Sequence, residues 1–332
     1  MKRILFTLCF CFVCFFAKSQ EVFEWNVNTF GFADNREYLK AGLHSQTIFG
    51  IRIAPEVGLS IDSVHRVRFG VNFLQEFGDK PFGAKANPTI YYNYEDKGFS
   101  FYLGAFPRFN LLSSYPRAVL NDTLMYYRPN IEGLFLKYQK ANFHEQIWVD
   151  WTSRQTHEKR EQFIVGLSGK VQTGIFYFTH YLTMLHSASS LDETFPVRDN
   201  AVGLLQIGVD LSDKTVLDSL TIGAGVLASL DRLRGVYDSR TPKGAIVDIH
   251  GAYKSFFVNN TFYKGQAHDI SFGDRFYTKD TYNRLDMGWR PFKSQNLEGY
   301  FMLSLHFTPG EVSNQQMLML RYNLGGNARL KK

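Results

Sequence analysis

The stretch NLEGYFMLSLHFT, residues 296–308, alternates between large apolar side chains and polar ones. In an extended chain the two kinds of side chain fall on opposite faces. The apolar face consists of Leu297, Phe301, Leu303, Leu305 and Phe307, and the polar face of Glu298, Ser304, His306 and Thr308. The stretch is therefore predicted to be a β-strand whose apolar face turns either inward to a protein core or outward to lipid.

Runs of this kind recur along the chain, and no segment shows a convincing helical stripe. The sequence predicts about sixteen strands, with 14–16 as the plausible range, because glycine-interrupted runs such as 244–265 can be split or merged. The predicted strands centre on 22–32, 46–61, 65–77, 87–95, 98–108, 130–140, 142–152, 160–169, 171–183, 200–212, 218–230, 244–254, 256–265, 281–292, 296–308 and 315–325.

The connections between these strands mostly alternate between short and long. Short ones such as 62–65 and 96–97 follow even-numbered strands, whereas long ones such as 33–45 and 109–129 follow odd-numbered strands. This sorting is typical of an up-and-down antiparallel β-barrel that crosses a membrane, with short periplasmic turns and long extracellular loops. A closed barrel of about sixteen strands is too wide for side chains to fill, so the apolar faces are expected to point outward to lipid.

The N-terminus has the pattern of a secretory signal peptide. Lys2 and Arg3 precede an apolar run over residues 4–17, and cleavage is expected after Ser19. The three cysteines fall in this segment, so the mature chain is expected to have no disulfide and no catalytic or metal-binding thiol. Loss of Lys2, Arg3 and Lys18 lowers the formal charge from +6 to +3, which is weak evidence for a nucleic-acid partner. Residues 20–332 are predicted to form a single barrel domain.

The chain resembles the outer-membrane β-barrels of Gram-negative bacteria, and among them the sixteen-strand porins. The resemblance covers nearly the whole mature chain and concerns architecture, without a specific motif. In general porins the loop after the fifth strand folds into the barrel and narrows it, and the longest connection here, 109–129, falls at that position. One departure is the C-terminus, where the chain continues past Leu324 into GGNARLKK instead of ending on an aromatic residue.

The polar strand faces supply residues that are predicted to line a pore. They are Arg52, Glu56, Arg66, Arg68, Glu76, Asp150, Asp210, Asp248, His250, Arg284, Asp286, Glu298, His306 and Arg321. The residues predicted to form a constriction are Leu111, Leu112, Tyr115, Arg117 and Leu124. Opposed charges across a water-filled lumen tune ion selectivity, although any wide barrel also needs polar residues there simply to solvate its wall. The loop could equally form a cap on other extracellular loops.

Three groups of residues are the nearest candidates for the site of an outer-membrane lipid-modifying enzyme. They are His180, His186 with Ser187 and Ser189, and His268 with Asp269 and Asp274. None has the spacing of a known catalytic or metal-binding motif, so each is expected to be a surface or loop residue.

The sequence therefore predicts a porin-like outer-membrane channel for passive diffusion of small hydrophilic solutes. Such a protein would not be an enzyme, would need no cofactor and no metal, and would contact outer-membrane lipids, with no nucleic-acid partner. The resemblance to general porins implies a homotrimer. Three alternatives remain: a glycan translocation barrel with Tyr91, Trp148 and Tyr300 stacking on sugars, a lipid-modifying enzyme with a narrower, filled barrel, and a structural or adhesive barrel whose lumen is blocked.

Overall fold

The computed structural model describes residues 21–38, 43–79, 81, 83–112, 115–193 and 195–329. The predicted signal peptide lies outside the described residues. The strands are β1 (Glu21–Glu37), β2 (Gln46–Ile61), β3 (His65–Glu76), β4 (Lys85–Asp96), β5 (Phe99–Pro107), β6 (Asn130–Lys140), β7 (Phe143–Ser153), β8 (Gln162–Thr173), β9 (Phe176–Ser187), β10 (Arg198–Asp210), β11 (Ser219–Leu233), β12 (Tyr237–Arg240), β13 (Lys243–Tyr253), β14 (Phe256–Gly265), β15 (Thr281–Lys293), β16 (Leu297–Thr308) and β17 (Glu311–Arg329).

These strands form one antiparallel sheet that closes on itself. Each strand of the wall pairs with its neighbours in the chain, and β1 pairs with both β2 and β17. Strand β12 is only a short addition to β11, which pairs directly with β13, so the wall has sixteen strands. The predicted all-β antiparallel barrel of about sixteen strands is confirmed, and only β12 was not predicted.

The alternation within β16 shows which face of the wall points outward. Phe301 is 43% exposed, whereas Ser304 and His306 on the other face are completely buried. The apolar face is therefore the outer surface of the barrel, as predicted. Near the strand ends the outer surface exposes aromatic side chains such as Trp25, Trp151 and Trp289, which matches the interfacial aromatic residues of membrane barrels.

The two rims of the barrel differ in their connections. One rim, here called the turn rim, has short connections such as 62–64, 97–98 and 141–142. The opposite rim, here called the loop rim, has long connections such as 108–129 and 266–280. The last strand begins earlier than the predicted residue 315, because β17 starts at Glu311 and leaves only residues 309–310 between it and β16. The C-terminal segment also extends the wall instead of trailing from it, since Arg329 pairs with Val22.

The longest loop, residues 108–129, folds into the barrel and contains helix α1 (Thr123–Tyr127). It leaves the wall after the short strand β5, where Arg108 forms a buried ion pair with Asp150. The Arg108 guanidinium also donates to the carbonyl oxygens of Arg128 and Asn130, at 3.0 and 3.3 Å. These bonds hold the two ends of the loop together at the inner wall.

A second loop, residues 266–280, packs beside the first inside the barrel. The amide of Asn121 donates to the carbonyl oxygen of Phe272 at 2.7 Å, which joins the two loops. The ring of Phe276 stacks between Tyr282 and His306 of the wall, at centroid distances of 5.0 and 4.3 Å. The loop-rim half of the interior is therefore occupied by two segments of the chain.

The loops and the inner wall form one apolar core. This differs from the water-filled interior that the sequence predicts. Buried wall residues that contribute to it are Phe135, Trp148, Ile164, Leu204, Leu227 and Ile246, and buried loop residues are Leu112, Tyr115, Val119, Leu120, Leu124 and Tyr277. The expectation that the interior is too wide to fill is wrong, because the loops supply the volume that wall side chains alone cannot. Within the described ranges, no helix is long and apolar enough to cross a membrane.

Candidate active site

The charged residues predicted to line a pore lie on the inner face of the wall, in step with the buried residues of their strands. They are Arg52, Glu56, Arg66, Arg68, Glu76, Asp150, Asp210, Asp248, His250, Arg284, Asp286, Glu298, His306 and Arg321. Several of them bind one another or the inserted loops. Arg284 donates to Asp286 at 2.6 Å, for example, and Arg68 donates to Glu24 at 2.7 Å.

The residues predicted to form a constriction all belong to the inserted loop. Tyr115 is buried against the wall, where its hydroxyl accepts a 2.9 Å hydrogen bond from the indole nitrogen of Trp148. Leu112 and Leu124 are buried and Leu111 packs against the same core, while Arg117 pairs with Asp122. These contacts place the segment inside the barrel, not as a cap above it.

The residues predicted for sugar binding are also enclosed. Trp148 is completely buried and Tyr91 is 5% exposed, both in the core that contains the loop. The hydroxyl of Tyr300 points to the sulfur of Met319 at 2.7 Å. These rings therefore contact protein side chains, with no open platform at Trp148 or Tyr91 for a sugar.

His268 is held inside the barrel and separated from the acidic residues that flank it in sequence. Its Nδ1 lies 2.7 Å from the hydroxyl of Ser229, and burial lowers the pKa of the imidazole to about 4. Asp269 instead pairs with Arg198, and Asp274 accepts the backbone amide of Phe276 at the start of a 3₁₀ turn. The predicted grouping of His268 with Asp269 and Asp274 does not form a shared site.

His186 lies on the outer surface at the loop rim and has a different acidic partner from the residues first considered. Ser187 points to the inner face, where it is 1% exposed and accepts a hydrogen bond from Gln162 at 2.8 Å. Ser189 accepts from the amide of Phe195 at 3.4 Å. Instead of a serine, His186 contacts Asp199 of β10, directly across the strand pair.

The contact between His186 and Asp199 has the geometry of an oriented acid–base pair. The imidazole Nδ1 lies 2.7 Å from one carboxylate oxygen of Asp199. The other oxygen accepts two hydrogen bonds from Arg234, at 2.9 and 3.1 Å. Because Nδ1 is engaged, Nε2 is the ring nitrogen that can exchange a proton with a substrate or with water. The His186 side chain is 22% exposed, so it is partly shielded yet reachable from outside.

Apolar rings extend from this pair along the outer surface. The ring of Phe163 lies 5.1 Å from the imidazole of His186, and the ring of Trp151 stacks on Phe163 at 5.0 Å. Arg232, which stands opposite Asp199 in the strand register, is exposed on the same surface. The surface therefore combines an imidazole that can accept a proton, apolar rings and a positive charge.

A second histidine–carboxylate pair occupies the other end of the same strand. His180 Nε2 lies 3.0 Å from Glu145, also on the outer surface but near the turn rim. The Glu145 side chain is 36% exposed, against 10% for Asp199. Nowhere in the described ranges do three or more His, Cys, Asp or Glu residues gather as a metal site would require.

Comparison with known proteins gives one match to a protein family. The model of the family described as lipid A 3'-O-deacylase-type matches residues 16–327. No curated protein matches the chain.

Solved structures with a similar fold are outer-membrane barrels. A loop-deletion mutant of OmpT, an outer membrane protein of Vibrio cholerae, has a TM-score of 0.58 at 9% identity over 92% of this chain and 100% of that one. A triple mutant of the porin of Rhodopseudomonas blastica has a TM-score of 0.51 at 10% identity, with 91% and 100% covered. OpdK of Pseudomonas aeruginosa, solved with vanillate, has a TM-score of 0.50 at 9% identity, with 92% and 99% covered. At these identities the likeness establishes the fold alone, which is that of outer-membrane β-barrels.

Proposed function

Because the chain belongs to the lipid A 3'-O-deacylase-type family, we propose that it is an outer-membrane enzyme that hydrolyses an acyl ester of an outer-leaflet lipid. The observation that carries the proposal is the His186–Asp199–Arg234 arrangement on the outer surface at the loop rim. In an outer-membrane barrel the rim with long loops faces the cell exterior, so this arrangement lies at the level of outer-leaflet headgroups.

The family assignment corrects one prediction from the sequence. The expectation of a protein without enzymatic activity is wrong, because the family that the chain matches is described by a deacylase activity. The pattern of residues failed to indicate this because His186 and its carboxylate partner are thirteen positions apart in the chain.

The proposed chemistry is hydrolysis with His186 as general base. Nε2 of His186 accepts a proton from water as the water oxygen attacks the acyl carbonyl carbon. The ester C–O bond then breaks, and the proton passes to the departing alkoxide, so that the products are a carboxylic acid and an alcohol. Asp199 stabilises the imidazolium, and Arg234 holds the carboxylate in place.

The substrate is proposed to approach along the outer surface. An acyl chain would lie against Phe163 and Trp151, and a headgroup phosphate would contact Arg232. The filled interior supports this placement, because the core that includes Tyr115 and Trp148 gives a lipid no open route through the loop-rim half of the barrel.

The test is acyl release from purified lipid A in nanodiscs that contain the folded protein, followed by mass spectrometry of the lipid. Wild type and the His180→Asn variant are expected to release one acyl chain at similar rates, whereas His186→Asn is expected to release almost none. Equal release by both variants would contradict the role of His186, and lipid of unchanged mass with wild type would contradict the proposed activity.

Passive diffusion of small hydrophilic solutes is a weaker proposal. It is supported by the likeness of the fold to porins, but the described interior at the loop rim is packed with apolar side chains. In planar bilayers passive diffusion would appear as stable porin-sized conductance steps. Because the interior is packed, we expect no such steps. Stable large steps would restore the pore as the leading function.

Assembly into a homotrimer also stays a proposal. One solved structure of OmpT from Vibrio cholerae is described as a trimer form. Native mass spectrometry of the detergent-solubilised protein would test it, with a mass of three chains expected for a trimer and a mass of one chain contradicting it.

A further inference from the structure

A cavity of about 380 Å³ lies inside the barrel between the inserted loop and the turn rim. Its roof includes Leu112 and Leu124 of the loop, and its opposite side includes the turn at residues 294–296. The cavity is therefore on the periplasmic side of the core in an outer-membrane orientation. His186 is not among the residues that line it. The cavity volume is in the range of small-molecule sites.

Arg52 brings a buried positive charge to this cavity. The side chain is 5% exposed and donates to Asn72 at 2.8 Å and to the backbone carbonyl of Tyr126. Its Nε is buried without a hydrogen-bond partner. The carboxylate that acts on it electrostatically, Glu76, is bound by Lys85 and by the Tyr127 hydroxyl. A buried guanidinium held only by neutral oxygens is an incomplete arrangement that a bound anion would complete.

Arg321 brings a second positive charge from the opposite part of the lining. Its guanidinium carbon lies over the rings of Phe30 and Phe109, at 4.1 and 3.5 Å from their centroids. Contact with an aromatic ring leaves a guanidinium able to donate from the N–H groups at the edge of its plane, so Arg321 can donate to an acceptor in the cavity. The one side-chain hydrogen bond described for the Arg321 N–H groups goes to the sulfur of Met125, at 3.8 Å.

The other charges around the cavity leave an excess of one positive charge. Arg108 is neutralised by Asp150, and Asp122 by Arg117. Glu298 is the remaining acidic residue of the lining and stands opposite Arg321 in the strand register. Arg52 and Arg321 together with Glu298 therefore give a net charge of +1, which matches a monoanion better than a dianionic phosphate ester.

We propose that this cavity binds a medium-chain aliphatic carboxylate that reaches it from the periplasmic side. The carboxylate would accept hydrogen bonds from Arg52 and Arg321, and the chain would lie against Leu112, Leu124 and Met125. The site is separate from the outer surface at His186, so it stands or falls independently of the proposed hydrolysis.

The first test uses wild-type protein in nanodiscs and needs no variant. Binding of octanoate, 1-octanol and octylamine is measured by calorimetry, with empty nanodiscs subtracted. Octanoate is expected to bind at least about tenfold more tightly than 1-octanol, because the charge-assisted bonds are lost with the alcohol, and octylamine is expected not to bind. Equal binding of the acid and the alcohol, or no octanoate binding up to about 10 mM, would overturn the proposal.

The second test locates the binding. Arg321→Gln is expected to weaken octanoate binding by about tenfold or more. Arg290→Gln is the matched control, because Arg290 also lies on the inner face but stacks on Phe257 outside the cavity. A folded Arg321→Gln protein that binds octanoate as tightly as the control would contradict the site.

Discussion

The two ends of strand β9 carry the same kind of residue pair in different surroundings. At the loop rim, His186 contacts Asp199, whose second carboxylate oxygen is fixed by Arg234. At the turn rim, His180 contacts Glu145, whose side chain is 36% exposed and forms no described bond to an arginine. The two pairs have the same residue types, so residue type alone does not distinguish them. They differ in the contacts of the carboxylate, which an arginine fixes in only one of the two pairs.

The interior of the barrel differs between the same two ends. Near the loop rim the chain folds back and fills the lumen with an apolar core. Near the turn rim, charged residues such as Glu24, Arg66 and Arg68 bind one another, and a cavity remains. The likeness to porins in the wall therefore coexists with an interior that is closed at one end.

The largest difference is predicted between the acyl-release rates of variants of the two histidines, His186 and His180. His186→Asn should lower the rate of acyl release by about 10²–10⁴-fold, the usual contribution of a general base. His180→Asn should leave the rate within about twofold of wild type, since it sits at the wrong rim. Initial rates from lipid mass spectrometry measure both, and a larger loss in the His180 variant would reverse the assignment.

The next effect concerns the ion pair that holds the long loop. Arg108→Ala removes the closer of the two arginines that pair with the buried Asp150 carboxylate and leaves only Arg128, at 3.6 Å, so it should destabilise the fold by about 3 kcal/mol. Arg66→Ala breaks the more exposed pairs at the turn rim and should cost no more than about 1 kcal/mol. Urea unfolding from lipid vesicles compares the two, and similar losses would show that the loop is not clamped as described.

A third comparison tests the outer surface between the rims. Leu303→Arg, near the middle of β16, should destabilise the barrel by roughly 2–4 kcal/mol because it places a charge in the apolar band. Leu324→Arg, on the outer surface near the turn rim, should cost about 0–1 kcal/mol. The same urea assay applies, and the opposite order would mean that the position of the apolar band is wrong.

The smallest effect is a pH dependence of the second inserted loop. Burial holds the pKa of His268 at about 4 against an ordinary 6.5, so the released loop binds more protons than the packed loop between these values. Packing is fully stable above about pH 6.5 and should weaken by up to roughly 3 kcal/mol as the pH falls toward 4. Hydrogen exchange of residues 266–280, corrected for intrinsic rates, should accelerate in that interval.

The hydrogen-exchange measurement has two controls, a variant of His268 and a reference region at the turn rim. His268→Asn should remove most of the pH dependence, and amides beside the 141–142 turn should not change with it. Acceleration that persists in the variant would assign the effect to another group.

The strand pattern of the sequence predicted the wall well because side-chain alternation is a local property. Phe301 and Ser304 already indicate the two faces of β16 within one short stretch. The filled interior could not be predicted in the same way, since it depends on pairs such as Arg108 with Asp150 that are far apart in the chain. The apolar residues Ile270 and Phe276 in a predicted loop were a signal that it packs inside.

The proposed outer-surface site was not predicted for a more specific reason. The predicted tenth strand began at residue 200, whereas β10 begins at Arg198. Because of this two-residue difference, Asp199 was assigned to a loop, and its position opposite His186 in the strand pair was not predicted. Ser187 was considered as a partner because it is adjacent in sequence, but adjacent residues of a strand point to opposite faces.

The proposed hydrolysis of a lipid acyl ester at the outer surface of the loop rim requires that one oxygen atom of the released acid comes from water. The most direct test is to incubate wild-type protein and the His186→Asn variant with lipid A nanodiscs in water enriched in oxygen-18, and to weigh the released fatty acid. Wild-type protein is expected to release free acid with one oxygen-18 atom in its carboxylate, and the variant only background. Wild-type protein that is folded and inserted but releases no labelled acid above that background would contradict the proposed hydrolysis.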